Sequence, residues 1–142
     1  MFLDQAESLC ERRNLRFTTL RKQVLELVCR AEQPVGAYQL LDELRGSGRS
    51  AAPPTIYRAL DFLLDQGLIH RLATNNTYLA CAHPQHPHAA VFLVCCQCGH
   101  TREVHNAGVV AEIEHQADQF DFSVRHASVE VTGLCHHCRI SR

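Results

Sequence analysis

The spacing of apolar positions changes character midway along the chain. In FLDQAESLCERR, Phe2, Ala6, Leu9 and Cys10 recur at the 3.6-residue period of a helix. TLRKQVLELVCRA repeats that pattern through Leu20, Val24, Leu27 and Val28, with Thr18 or Thr19 placed to cap it. GAYQLLDELRGSG predicts a third helix with Ala37, Leu40, Leu41 and Leu44 inward and Gly46 as its stop. GSGRSAAPP is loop, and PTIYRALDFLLDQG is a fourth helix with proline in its first turn and Gly67 at its exit. The period then drops to two. LIHRLATNNTYLAC alternates about Asn75 and Asn76, as a tight hairpin does. Four helices followed by a hairpin is the order of a winged helix-turn-helix, with the hairpin as wing.

Beyond the proline-broken stretch AHPQHPH, the pattern predicts strands in AVFLVC and HTREVH, a helix in AGVVAEIEHQADQF and a longer strand in SVRHASVEVTGLC. The expected class is α+β: a winged helix-turn-helix domain over 1–81, a hinge over 82–89 and a small α/β domain over 90–142. No repeat or low-complexity segment interrupts this plan.

Composition narrows the function classes. In 142 residues the apolar fraction is 46%, enough for real cores, and the net charge of −1 excludes a polybasic chain. A local basic face remains open, since a near-neutral protein can concentrate its charge. Lys and Arg number ten in residues 1–80 and four thereafter, whereas nine of the ten histidines follow residue 80. The amphipathic, acidic start MFLDQAESLCERR does not read as an export leader, and no apolar run approaches a membrane span. A cytoplasmic location is expected. Eight cysteines in such a chain point to metal or catalysis before disulfides.

Cys95/Cys98 and Cys135/Cys138 form two CxxC pairs, each after a strand-like segment. Tight turns in those places aim two sulfurs at one point, and two such knuckles supply the closed tetrahedral set of a structural zinc site. A redox CxxC opens a helix after a strand, and neither pair is expected to do so here. The H-x-E and P-C-x-x-C elements of a zinc deaminase are absent, as is any G-x-S-x-G frame for a serine nucleophile. The chain is therefore not expected to be an enzyme or to have a small-molecule substrate. Cys96 reads as a spare thiol, and Cys10 and Cys29 as core residues on apolar helix faces.

The wing offers a second, mixed donor set. With Asn75 and Asn76 as a two-residue turn, Leu72 faces Leu79 and His70 faces Cys81, an imidazole beside a thiol. His83, His86 and His88 follow in the hinge, then Glu103 and His105 beyond the first knuckle. Donors drawn from wing, hinge and second domain would lock the two domains when metal binds, which is the plan of a switch. Lone histidines such as His100, His115, His136 and His137 read as surface residues.

PPTIYRALDFLLDQGLIHRL, a wing ending in Cys81, and CCQCG with GLCHHC together resemble the ferric uptake regulator family, and within it the zinc-sensing members. The resemblance runs over nearly the whole chain. It implies a homodimeric bacterial repressor of zinc uptake genes, with a DNA-binding winged helix and a C-terminal dimerisation domain. It further implies two zinc ions per subunit, one structural on Cys95, Cys98, Cys135 and Cys138, and one regulatory on His70, Cys81, His88 and Glu103. Many members carry a tight His-His-Asp-His run just before the first CxxC, where AAVFLV stands here. The pattern of a third metal site is therefore not matched here, His83 and His86 rival His88 as donors, and His105 and His126 carry no assigned role. The soft thiolate of Cys81 suits zinc better than iron or manganese. An iron, manganese or peroxide sensor is the second choice, and a non-regulatory zinc protein the alternative from another class.

On the fourth helix Ile56, Ala59, Leu60, Leu63 and Leu64 share a face. Arg58 falls opposite, beside Asp61 and Asp65, where it can reach a guanine edge in the major groove. Tyr38 and Arg58 match positions resembling the family's DNA-contacting residues, and Thr55 and Tyr57 belong to the same T-x-Y-R-A-L stretch. Arg12, Arg13, Arg16, Arg21 and Lys22 are expected to form a basic end for phosphates. Asp42 and Arg45 are expected to bond within their helix, with a contact between neighbouring dimers on DNA as the alternative.

Overall fold

The computed structural model describes residues 2–82, 84, 90–125 and 127–141. The hinge histidines His83, His86 and His88, and also His126, lie outside them. Two compact units divide the chain, Met1–His86 and Pro87–Arg142.

The first unit contains α1 (Phe2–Arg12), α2 (Thr19–Arg30), β1 (Val35–Gly36), α3 (Ala37–Gly46), α4 (Pro53–Asp65), β2 (Ile69–Leu72) and β3 (Thr77–Ala80). Its core is drawn from the predicted apolar faces: Ala6 and Leu9, Val24 and Val28, Leu40, Leu41 and Leu44, and Ile56, Ala59, Leu60 and Leu63 are buried together. Thr18 caps α2, its hydroxyl accepting from the Arg21 N–H at 3.3 Å. Helices α1, α3 and α4 all end in Schellman turns, α1 with Asn14 in the left-handed position. After α4, Gly67 takes φ +72°, its N–H reaching the Leu64 carbonyl while Leu68 N–H reaches Leu63. After α3 the corresponding left-handed residue is Gly48, φ +89°, and not the expected Gly46, which is still helical. Cys10 is buried as expected, but Cys29 is exposed: it follows Val28 by 100° around α2, past the edge of the apolar stripe.

β1 was not foreseeable, because two residues carry no period. It completes an antiparallel sheet of order β1-β3-β2. The wing register also departs from expectation. Leu72 pairs with Thr77, and His70 with Leu79, so the loop holds four residues, 73–76, with Asn76 left-handed at φ 55°. Asn75 Oδ1 accepts from the Thr77 hydroxyl at 2.6 Å, which fastens the loop onto the start of β3. Cys81 N–H donates to the Leu68 carbonyl at 2.9 Å, so Cys81 is opposite Leu68 and not His70. The slip is two residues. Because side chains alternate faces, a slip of two leaves His70 and Cys81 on one face as diagonal neighbours.

The second unit contains β4 (Ala90–Cys95), β5 (Thr101–Val104), α5 (Ala107–Asp118), β6 (Ser128–Gly133) and α6 (His136–Ile140). β4 is the central strand, antiparallel to β5 and parallel to β6. Its near-continuous apolar run suits a strand paired on both sides. Asn106 caps α5 by accepting from the Gly108 N–H at 2.8 Å. α5 has no buried residue, and Leu93 and Val131 on the sheet are also exposed.

Candidate metal centres and nucleic-acid face

The parallel pairing of β4 with β6 ends with Cys95 opposite Gly133. Both strands therefore deliver their following segments to the same corner. After β4 the chain folds back at once, with Cys95 N–H donating to the His100 carbonyl at 2.8 Å and Gly99 N–H to the Cys95 carbonyl at 3.0 Å. Cys96 N–H donates to the Gly133 carbonyl at 2.8 Å and ties this knuckle to the end of β6. The second knuckle differs from expectation: Cys135 is the N-cap of α6, so this CxxC does open a helix, one of five residues.

The four sulfurs of Cys95, Cys98, Cys135 and Cys138 all lie within 4.8 Å of one another, with Cys98 and Cys135 at 3.8 Å. A tetrahedron of thiolates at the usual Zn–S length of about 2.3 Å has S–S edges of about 3.8 Å. That spacing exceeds a disulfide bond of about 2.05 Å, and all the cysteines are free thiols. The donor set fits zinc. Backbone N–H groups of Cys135 and Cys98 hold the Cys95 thiol down, to about 5. Burial, reinforced by the neighbouring thiols, pushes Cys138 up to about 12. Without a cation the corner supports ionisation of one sulfur and opposes that of another, whereas a dication favours thiolate at all four.

In the first unit, the candidate donor atoms of His70 and Cys81 lie within 4.8 Å of each other. Cys81 is buried, and it stands outside the helical core. In the second unit, Glu103 is on β5 opposite Phe92. Its side chain is 7% exposed, and its carboxylate is 3.3 Å from His105 Nε2. His88, the remaining predicted donor, is outside the described residues.

On α4, Arg58 is exposed and has no side-chain partner among the described residues; neither Asp61 nor Asp65 pairs with it. Thr55 and Tyr57 are half-buried in the first turns of the same helix. Tyr38, 64% exposed on α3, shares a shallow groove with Tyr57, Pro53 and Ile56. Arg16 is exposed between α1 and α2.

The rest of the expected basic end is engaged within the protein. Arg12 Nε donates to the Ser8 carbonyl at 3.4 Å. Arg13 donates to the Gln66 carbonyl and side chain, and Arg21 stacks on Phe62. Lys22 pairs with Glu7 at 2.5 Å. Arg45 bonds the Ala51 carbonyl at 3.1 Å, and not Asp42. Phe62 and Gln66 were not anticipated as partners; the available signal was their i+4 and i+8 spacing from Arg58.

The ferric uptake regulator family model matches residues 12–132. The chain belongs to the ferric uptake regulator family. The zinc uptake regulation protein of Escherichia coli (strain K12) is 40% identical over 137 residues, covering 96% of this chain and 80% of that protein. The protein of the same description from Mycobacterium tuberculosis (strain ATCC 25618 / H37Rv) is 34% identical over 106 residues, covering 72% and 78%. A solved zinc uptake regulator complexed with zinc and DNA matches with a TM-score of 0.92 at 39% identity, covering 98% of this chain and 93% of that one. The winged-helix and dimerisation architecture of the ferric uptake regulator family thus accounts for both units.

Proposed function

We propose that this chain is a zinc-responsive transcriptional repressor, which binds palindromic operator DNA as a homodimer when its regulatory zinc site is filled and so controls zinc uptake genes. The observation that carries this reading is the tetrahedral sulfur spacing of the four knuckle cysteines. It occurs in a chain similar to a zinc uptake regulator solved with zinc and DNA.

Two zinc ions per subunit are proposed. Cys95, Cys98, Cys135 and Cys138 form the structural site, whose bound Zn²⁺ cross-links two knuckles distant in sequence. His70 and Cys81 from the wing, with His88 and Glu103, form the regulatory site. The thiolate of Cys81 favours zinc over iron or manganese. Homodimerisation is supported by the exposed apolar groups of the second unit, Leu93, Val131, Phe120 and Phe122, and by an α5 with no buried residue.

The proposed boundaries are a DNA-binding domain over 1–81, a hinge over 82–89 and a dimerisation domain over 90–142. Among the described residues no helix is long and apolar enough to cross a membrane, and a cytoplasmic location accords with a DNA partner. Arg58 serves as the base-reading residue, with Tyr38, Thr55 and Tyr57 about it and Arg16 on phosphate. Two reading heads must hold a fixed spacing to match a palindrome. Donors on the wing and on β5, sharing one site, select that arrangement only as far as they favour it over others.

Fluorescence anisotropy of a palindromic duplex, titrated with buffered free zinc, iron(II) or manganese(II), tests the reading. Tight binding at the lowest free concentration of zinc is expected. Equal response to iron or manganese, or DNA binding indifferent to all three, would overturn it.

A further inference from the structure

Three residues one helical turn apart, Arg58, Phe62 and Gln66, form a single stripe along α4. Arg58 at its upper end is exposed and without a partner among the described residues. The other two are occupied. The Arg21 guanidinium lies over the Phe62 ring, 3.8 Å from its centroid. Arg13 Nη1 donates to the Gln66 carbonyl at 3.0 Å and to its Oε1 at 2.8 Å. Both arginines flank the α1–α2 linker, and Arg21 also donates to the Arg16 carbonyl inside that linker. The backbone N–H of the same Arg21 is the donor that the Thr18 cap accepts.

We infer that Arg21 and Phe62 are positioning residues, a clamp that fixes the linker carrying Arg16 against the stripe of α4 carrying Arg58. The inference rests on the DNA-binding reading above. An arginine on a flexible linker loses much of its binding energy to ordering. Here the linker backbone is held at the Arg16 carbonyl by a cation that is itself stacked one turn behind the base-reading residue. Arg16 and Arg58 then meet DNA as one rigid unit. Arg21 serves this role by its flat, delocalised guanidinium, which can stack and donate at once. By sequence position alone it would count as a phosphate contact.

The two roles separate by charge. Phe62→Leu keeps an apolar side chain and alters no charge, so under a phosphate role for Arg21 it is silent. Under the clamp it weakens binding to a selected palindromic duplex by about tenfold, the scale of a partly desolvated cation–π contact. Binding to random-sequence DNA weakens less, because there Arg16 needs a phosphate but no fixed register with Arg58, and the salt slope stays unchanged because no charge is lost. Arg21→Gln is expected to match that loss, and the double variant to lose no more than either alone. The zinc-loaded full chain is used throughout, with thermal melting as the folding control. Where Phe62→Leu melts early, Arg21→Lys decides, because it keeps the charge and is still expected to lose palindrome affinity. Wild-type affinity in Phe62→Leu or Arg21→Lys would overturn the clamp. So would an Arg21→Gln protein that loses palindrome and random DNA alike with a salt slope reduced by about one. A wild-type protein that fails to discriminate the palindrome at all would instead remove the DNA-binding reading on which the clamp depends.

Discussion

At the scale of single residues, cysteines dominate, and their predicted consequences differ. Cys135 supplies both a sulfur to the knuckle corner and the cap of α6. Structural zinc in small peptides contributes roughly 10–16 kcal/mol at neutral pH, so Cys135→Ser is expected to lose one zinc per subunit together with the dimer. Metal analysis beside sedimentation checks this, and a zinc-replete dimeric variant would contradict it. Cys81→Ser should behave otherwise, keeping fold, dimer and structural zinc. Its DNA-binding curve against buffered free zinc should shift to at least about tenfold higher zinc, as expected when a good soft donor is lost. A curve superimposable on wild type would remove Cys81 from the sensor. The gathering of the four knuckle sulfurs was legible because knuckle spacing is a local constraint. Arginine roles were not, because a long flexible side chain chooses among acceptors that only the fold brings near. Arg13 found Gln66 and Arg21 found Phe62, and neither partner is close in sequence.

Among the elements, α4 is where sequence and structure agree most closely. Its apolar stripe, its proline start and its glycine exit all specify one helix. Arg58→Ala is expected to cost about 1–3 kcal/mol on the operator and little on random DNA. Arg16→Ala should weaken both about equally and lower the salt slope by about one. Parallel binding titrations on the two duplexes at several salt concentrations distinguish them, and an Arg58→Ala protein unchanged on the operator would deny α4 the reading role. The wing was legible in existence but not in register. Asn-Asn suggests a two-residue turn, and only the tertiary fold shows four residues in the loop. His70 and Cys81 still lie together because the error was even. β1 and α6 escaped prediction for a plainer reason: two and five residues are too few for a period to declare itself.

For the whole molecule, metal removal is expected to proceed in two stages. A mild chelator should strip the proposed regulatory zinc and abolish operator binding while leaving the dimer. A stronger or thiol-reactive agent should then open the cysteine corner and release monomers. Metal content, anisotropy and light scattering recorded on one series check the order, and simultaneous loss of DNA binding and dimer would indicate a single class of site. Linkage sets a further condition: operator DNA must tighten zinc binding by the same factor by which zinc tightens DNA binding.

The turn after α4 leaves little between the proposed reader and the proposed sensor. Only Gln66, Gly67 and Leu68 separate the last residue of α4 from the strand bearing His70. Gly67 is left-handed, a conformation that costs other L-residues roughly 1–2 kcal/mol, so this corner resists substitution. Recombination between regulators would feel that shortness. A crossover that brings in a foreign α4 also brings its wing, and with the wing half of the proposed regulatory site. On that proposal, operator choice and metal choice are inherited partly as one package. A hybrid joined after Cys81 would carry zinc-type donors into whatever sensor body receives it.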